Sequence, residues 1–172
     1  MIAVGQIEQL VDANREFAST FDRGDMPMPP ARAVAVLTCM DARLHPERFL
    51  GLDIGDAHVI RNAGGRAADD AIRSLIISSR LLGTNEFLVI HHTDCGMLTF
   101  TDEDLRAKLA EEAGVDASDL EFLPFSDLDQ SVRDDVQRLL DSPYLPPGSR
   151  VSGHVYDVHT GTLRQVVAPI QT

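Results

Sequence analysis

The fold is decided by a continuous apolar run, Ala33-Val34-Ala35-Val36-Leu37, which leads into the polar segment Cys39-Met40-Asp41-Ala42-Arg43. A strand that is buried on both faces of a parallel sheet has this uninterrupted apolar character. His58-Val59-Ile60 is a second, short strand candidate, and Phe87-Leu88-Val89-Ile90 reads as a further buried strand. The sequence therefore predicts three strands of one parallel sheet.

Helical segments alternate with these strands. Apolar spacing predicts helices over residues 4–21, 69–82, 101–113 and 127–141. Asp69 or Asp70 is expected to cap the second helix, which stops at Gly83. Thr101, followed three residues later by Asp104, predicts a capping box at the start of the third.

The C-terminal part predicts a β-hairpin. Residues 151–158 and 163–167 alternate in polarity around the turn residues Thr160-Gly161. Strands that alternate with helices and end in a hairpin indicate a single α/β domain. We expect a central, mostly parallel β-sheet flanked by helices, with an antiparallel edge at the C-terminus. Within this domain, residues 1–30 are predicted to form a helical arm and residues 31–172 the catalytic core.

Composition limits the classes of protein to which the chain can belong. It has 172 residues, 44% of them apolar, and a formal net charge of −12, which argues against a nucleic-acid or anionic-membrane surface. No apolar run approaches membrane-spanning length, and residues 1–8 lack a basic segment and a long apolar core. We therefore expect a cytoplasmic protein, whose two cysteines are reduced thiols and not a disulfide framework.

Those two cysteines are the strongest functional signal in the sequence. Cys39 follows the first predicted strand, and His92 and Cys95 follow the third. Ligands of open α/β sheets bind beyond the carboxyl ends of the strands, so these side chains are expected to meet. Two thiolates and one imidazole are three protein ligands, the number that a catalytic zinc uses with its fourth position open to water. His91 is expected to point the other way and to be a packed or hydrogen-bonded neighbour.

Other residues near these ligands suggest how a zinc-bound water would be hydrogen-bonded and oriented. Asp41 is expected to accept a hydrogen bond from zinc-bound hydroxide, or alternatively to fill the open position on the metal. Arg43 is expected to pair with Asp41 and to keep it ionised. Gly64-Gly65 would let backbone N–H groups approach a small anion, although a plain tight turn is also consistent with the pair. Because two thiolates make the bound water less acidic, activity should rise above neutral pH.

Three motifs together resemble the β-class carbonic anhydrases, especially their shorter members. They are Cys39-Met40-Asp41-Ala42-Arg43, Arg61-Asn62-Ala63-Gly64-Gly65 and His92-Thr93-Asp94-Cys95-Gly96-Met97, and the resemblance runs from about residue 32 to the end. It implies a zinc site at Cys39, His92 and Cys95 with water as the fourth ligand, an Asp41–Arg43 dyad, and reversible hydration of carbon dioxide.

The resemblance also implies an assembly and contains one departure. It implies a homodimer or homotetramer, in which the N-terminal helix wraps the partner and the active site lies near the interface. Members of the family commonly have glycine before the ligand histidine, whereas this chain has His91.

Three alternative functions remain open from the sequence. A hydrolase of carbonyl sulfide or carbon disulfide would use the same metal site, and carbon dioxide is preferred only because hydration is the commoner activity in the family. A zinc-stabilised binding module without turnover is disfavoured, since a structural zinc usually has four protein ligands. A redox-sensing pair would require Cys39 and Cys95 to bond when zinc leaves.

Overall fold

The apolar run at the start of the core forms an inner strand of a five-stranded sheet. The computed structural model describes residues 5–172. The strands are β1 (Val34–Cys39), β2 (Ala57–Asn62), β3 (Glu86–His92), β4 (Arg150–Tyr156) and β5 (Leu163–Gln171). They lie in the order β2-β1-β3-β4-β5, and only β5 runs antiparallel to its neighbour. The predicted mostly parallel sheet with an antiparallel C-terminal edge is confirmed.

Among residues 5–172, five α-helices connect or flank these strands. They are α1 (Gln6–Ser19), α2 (Pro46–Phe49), α3 (Asp69–Leu82), α4 (Asp102–Ala113) and α5 (Leu128–Leu140). The predicted capping box of Thr101 and Asp104 is confirmed. The short helix α2 was not predicted, because four residues are too few to show a helical period.

The predicted cap of α3 is wrong. Ala68 occupies the N-cap position, and no side chain caps the helix there. Asp69 and Asp70 lie instead inside the first turn, where their negative charges favour the positive end of the helix dipole. The predicted end is confirmed, since Gly83 adopts a left-handed conformation with φ 77°.

The hairpin differs from its prediction at both strand ends. Strand β4 stops at Tyr156, because Asp157 begins a turn in which its side chain accepts hydrogen bonds from the backbone N–H groups of His159 and Thr160. Strand β5 continues past Val167 to Gln171 despite Pro169. An edge strand tolerates proline, since one side of its backbone has no ladder to maintain.

Helix α5 packs closely on the sheet and completes the main core. Its buried side chains include Val132, Val136 and Leu139, which lie on one face at helical spacing. A Cβ atom at Gly153 of β4 would lie only 2.5 Å from Val132 Cγ1, so a larger residue there would separate the helix from the sheet. This packing holds β3 and β4 against α5.

Helix α1, by contrast, buries none of its residues within this chain. Ile7 and Leu10 are 75% and 70% exposed, and Val11 and Phe17 are also exposed. The helix thus has an apolar face that the rest of residues 5–172 does not cover. None of the helices in these residues combines the length and apolar character needed to cross a membrane.

Candidate functional site

The structure brings together the three side chains that the sequence predicts as metal ligands. Cys39 ends β1, His92 ends β3, and Cys95 follows three residues later. Because β1 and β3 are parallel neighbours, their carboxyl ends lie side by side. The two sulfurs and one imidazole nitrogen all lie within 4.8 Å of one another, and all three residues are buried.

The orientation of His92 suits a metal ligand. Its Nδ1 lies 2.8 Å from the carbonyl oxygen of Thr93, so Nδ1 carries the proton and donates it to that oxygen. Its Nε2 therefore presents a lone pair, and this buried atom has no hydrogen-bond partner among residues 5–172. A buried acceptor without a partner costs free energy that coordination to a metal would offset.

The pKa values of the two cysteines are also shifted, as expected for thiols that lie close together in a buried site. Contact with the Cys95 thiol lowers the pKa of Cys39, and the His92 ring and the backbone N–H groups of Asp41 and Gly64 lower it further although burial opposes them. Contact with Cys39 in turn raises the pKa of Cys95. Thiolate and imidazole donors suit Zn²⁺, and the three residues fit it in number, type and orientation.

Asp41 lies beside this group and is held by Arg43. The guanidinium donates to both carboxylate oxygens, at 3.0 Å from Nε and 2.7 Å from the terminal nitrogen, and the Arg43 backbone N–H donates at 2.9 Å. These bonds keep the pKa of Asp41 well below its usual range. One oxygen of Asp41 lies 3.8 Å from His92 Nε2. An ionised acceptor therefore lies next to the candidate metal position.

Arg43 also joins the two loops that carry the candidate ligands. It donates to the side chain of Asp94 at 2.6 Å and to the Asp94 carbonyl oxygen at 2.8 Å. Asp94 adopts a left-handed conformation with φ 55°, which turns the chain between His92 and Cys95. One guanidinium thus connects the segment after β1 with the segment after β3.

Sequence reasoning missed the part played by Arg61. This residue near the end of β2 donates to the carbonyl oxygen of Cys39 at 2.9 Å and to that of Asp41 at 2.7 Å. It holds the backbone that carries both functional side chains. The position of Arg61 in the sequence could have indicated this role, because an arginine at the end of a strand next to β1 can reach the loop after β1.

Gly64 and Gly65 have positive φ angles of 79° and 69° and belong to a single 3₁₀ turn after β2. The backbone N–H of Gly64 contributes to the lowered pKa of the Cys39 thiol. A Cβ atom on Gly65 would lie 2.9 Å from the Cys39 backbone nitrogen. The close backbone approach expected of these glycines is thus made toward Cys39, while their binding of a small anion stays a prediction.

A second apolar cluster surrounds the candidate ligands. Leu44 and Met97 are buried with the two cysteines, and Phe49, Phe100, Phe125, Tyr156 and Val158 pack around them. Phe49 stacks on Tyr156 with ring centroids 4.3 Å apart. These side chains keep the surroundings of the two sulfurs apolar, and an apolar environment strengthens electrostatic interactions within the site.

Comparison with known proteins agrees with this geometry. A family model described as carbonic anhydrase matches residues 34–121. The chain is 47% identical over 155 residues to Beta-carbonic anhydrase 1 of Mycobacterium tuberculosis, covering 89% of this chain and 93% of that protein. It is 37% identical over 162 residues to the Carbon disulfide hydrolase of Acidianus sp., covering 80% of this chain and 79% of the relative.

A solved structure gives the same result for the fold. The crystal structure of carbonic anhydrase from Streptococcus mutans aligns with a TM-score of 0.92 and 45% identity, covering 96% of this chain and 99% of the other. The chain belongs to the β-carbonic anhydrase family.

Proposed function

We propose that this protein catalyses the zinc-dependent, reversible hydration of carbon dioxide to bicarbonate and a proton. The observation that carries the proposal is the buried group of Cys39, His92 and Cys95 with the ionised carboxylate of Asp41 beside it. When bound by these three ligands, Zn²⁺ would act as a Lewis acid that makes a water molecule nucleophilic at neutral pH. The family membership supports the same reaction.

The residues around the ligands have separate roles in this proposal. Asp41 accepts a hydrogen bond from the attacking water and directs the oxygen lone pair toward the carbon of the substrate. Arg43 holds both oxygens of Asp41, so the carboxylate stays ionised and aimed. Phe49 and Tyr156 contribute to an apolar surround that suits a substrate without a net dipole.

The test combines metal analysis with stopped-flow hydration assays on the wild type and Asp41→Asn. We expect one zinc per subunit in both proteins and a hydration rate about 100-fold lower or more in the variant. Loss of zinc from the variant would indicate that Asp41 is a metal ligand and not an orienting residue. A zinc-loaded wild type with negligible hydration would refute the proposed reaction.

Hydrolysis of carbon disulfide or carbonyl sulfide is the second candidate. It is favoured by the 37% identity to a relative named Carbon disulfide hydrolase. Both substrates resemble carbon dioxide as linear electrophiles, and the same attacking water would release sulfide from them. Hydration is preferred because the identity to a carbonic anhydrase is higher, at 47%. A sulfide-release assay on the zinc-loaded protein separates the two.

The exposed face of α1 supports a homo-oligomer, which we propose to be a homodimer or homotetramer. Ile7, Leu10 and Phe17 are exposed in the single chain, and an amphipathic helix normally buries such residues. A second copy of this chain would cover them if the helical arm wraps its partner.

We also propose that the protein works in the cytoplasm. The candidate metal site needs Cys39 and Cys95 as thiolates, and both are free cysteines in the structure. A reducing compartment keeps such thiols available for zinc.

A further inference from the structure

A buried polar network lies on the face of β3 opposite to His92. His91 is fully buried, and its Nδ1 lies 2.8 Å from the hydroxyl oxygen of Ser131 on α5. Its Nε2 lies 3.1 Å from Asp135, also on α5. The ring stacks on Phe125 with centroids 5.4 Å apart. His91, which directly precedes the candidate ligand His92, is therefore held by contacts with Ser131, Asp135 and Phe125.

The same carboxylate also holds a second segment of the metal centre. Arg66 donates to Asp135 at 2.8 Å from Nε and to the carbonyl oxygen of Leu123 at 2.7 Å. Its backbone N–H and carbonyl are both bonded by the side chain of Asn62, at 2.8 and 2.7 Å. Arg66 comes directly after Gly65, so these bonds fix the turn in which Gly65 lies against the backbone of Cys39.

We propose that Asp135 is a positioning residue of the metal centre, because it fixes His92 through His91 and Cys39 through Arg66 and the Gly64–Gly65 turn. The inference rests on the proposed zinc site. In this arrangement residues of α5 act on both candidate ligands indirectly, through His91 and Arg66. Partners of this kind behind a metal ligand set the orientation of the ligand.

Stability alone is a poor explanation for this network. The Asp135 side chain is 3% exposed and that of Arg66 15%, and an ion pair so deeply buried often stabilises a fold no better than apolar residues of similar size. Burial raises the pKa of Asp135, but its contact with His91 and the hydrogen bonds from Arg66 outweigh that effect and leave the pKa below its ordinary value. An ionised carboxylate therefore persists at this position, where it can hold two different segments at once.

The first test substitutes Asp135→Asn in the zinc-loaded protein. Two readouts report on geometry instead of folding: the rate of zinc release to a chromogenic chelator, and the thiolate and d–d absorption bands of the cobalt-substituted protein. We expect zinc release about 10- to 100-fold faster and shifted cobalt bands. The matched control is Asp134→Asn, the exposed neighbour on the same helix, which should release zinc within about twofold of the wild-type rate.

A milder variant covers the case in which Asp135→Asn does not fold. Ser131→Ala removes the 2.8 Å contact to His91 but leaves Arg66 and Asp135 paired, so zinc release should be several-fold faster. Wild-type release and wild-type cobalt bands in a folded Asp135→Asn, or in Ser131→Ala if the first is unfolded, would overturn the inference. If the wild type itself binds no zinc, the proposed function fails first, and metal content alone identifies that outcome.

Discussion

Gly65 lies against the backbone of β1 with a positive φ of 69°, at a position where side chains are excluded for two reasons. An L-residue is strained at that φ, and an added Cβ would lie 2.9 Å from backbone atoms of both Thr38 and Cys39. Backbone atoms cannot move aside as a flexible side chain can. The residue thus couples the turn after β2 to the first candidate ligand.

Gly65→Ala is accordingly predicted to lower the free energy of unfolding by more than about 2 kcal/mol, the upper cost of left-handed strain alone. The matched control is Gly83→Ala, where φ is 77° but no atom lies within 4 Å of the added Cβ. It should cost only about 1–2 kcal/mol. Urea denaturation of both variants provides the measurement, and an equal loss in the two would contradict the steric argument.

Replacement of Arg43 should disturb the orientation of the Asp41 carboxylate without removing the metal. Arg43→Met removes both hydrogen bonds to the oxygens of Asp41, so the pKa of Asp41 should rise toward its ordinary value and the carboxylate should lose its fixed orientation. We predict retained zinc and a fall in kcat of about 10-fold or more. Arg73→Met, which breaks an exposed ion pair with Asp70, should leave kcat unchanged. A normal kcat in Arg43→Met would show that Asp41 needs no partner.

At the scale of elements, the helices differ in what stabilises them. Helix α5 buries an apolar face against the sheet, whereas α4 has no buried residue. Helix α4 therefore depends more on local interactions, and its capping box is the clearest of these. Thr101 accepts a hydrogen bond from the Asp104 N–H at 3.2 Å, and Asp104 accepts one from the Thr101 N–H at 2.9 Å.

Thr101→Ala should consequently destabilise α4 by about 1 kcal/mol, the usual cost of removing an N-cap side chain. Hydrogen exchange should show faster exchange in α4 and unchanged protection in β1 and β3. Thr162→Ala, an exposed threonine that caps no helix, serves as control. Equal protection of α4 in the two variants would mean that tertiary contacts, and not the cap, hold the helix.

At the scale of the whole molecule, the carboxylates determine how stability depends on pH. Hydrogen bonds hold the pKa values of several aspartates below their ordinary values, and their partners are chiefly arginines and backbone N–H groups. A lowered pKa means that the folded state favours the ionised form. This stabilisation is fully present above the ordinary aspartate pKa of about 4 and is lost as pH falls through the lower folded values.

Thermal unfolding should therefore be nearly independent of these groups from pH 7 to 5 and become easier below about pH 4. Asp129, paired with Arg164, allows a specific check by circular dichroism. Asp129→Asn should unfold at a lower temperature than the wild type at pH 7, and the difference should disappear in acid. A difference that persists at about pH 2 would assign the effect to packing instead of charge.

The exposed apolar face of α1 bears on the assembly of the whole molecule. Leu10→Glu places a charge where the proposed oligomer buries a leucine, so sedimentation should reveal smaller species than in the wild type. Because Leu10 is 70% exposed in the single chain, the fold itself should be unaffected. Val115→Glu introduces the same charge at another exposed site and should leave the mass unchanged. An unaltered mass in Leu10→Glu would exclude this face from the interface.

Local pattern and topology account for the layers, the parallel core strands and the meeting of Cys39, His92 and Cys95. Uninterrupted apolar runs identify buried strands, and parallel strands must end at one edge, so these features follow from local pattern and topology. Three features emerge only in the folded chain: Arg61 holds the Cys39 loop, Asp135 contacts both His91 and Arg66, and β5 runs past Pro169. Each of them depends on residues far apart in the chain or on the edge position of a strand, for which no periodic pattern exists in the sequence.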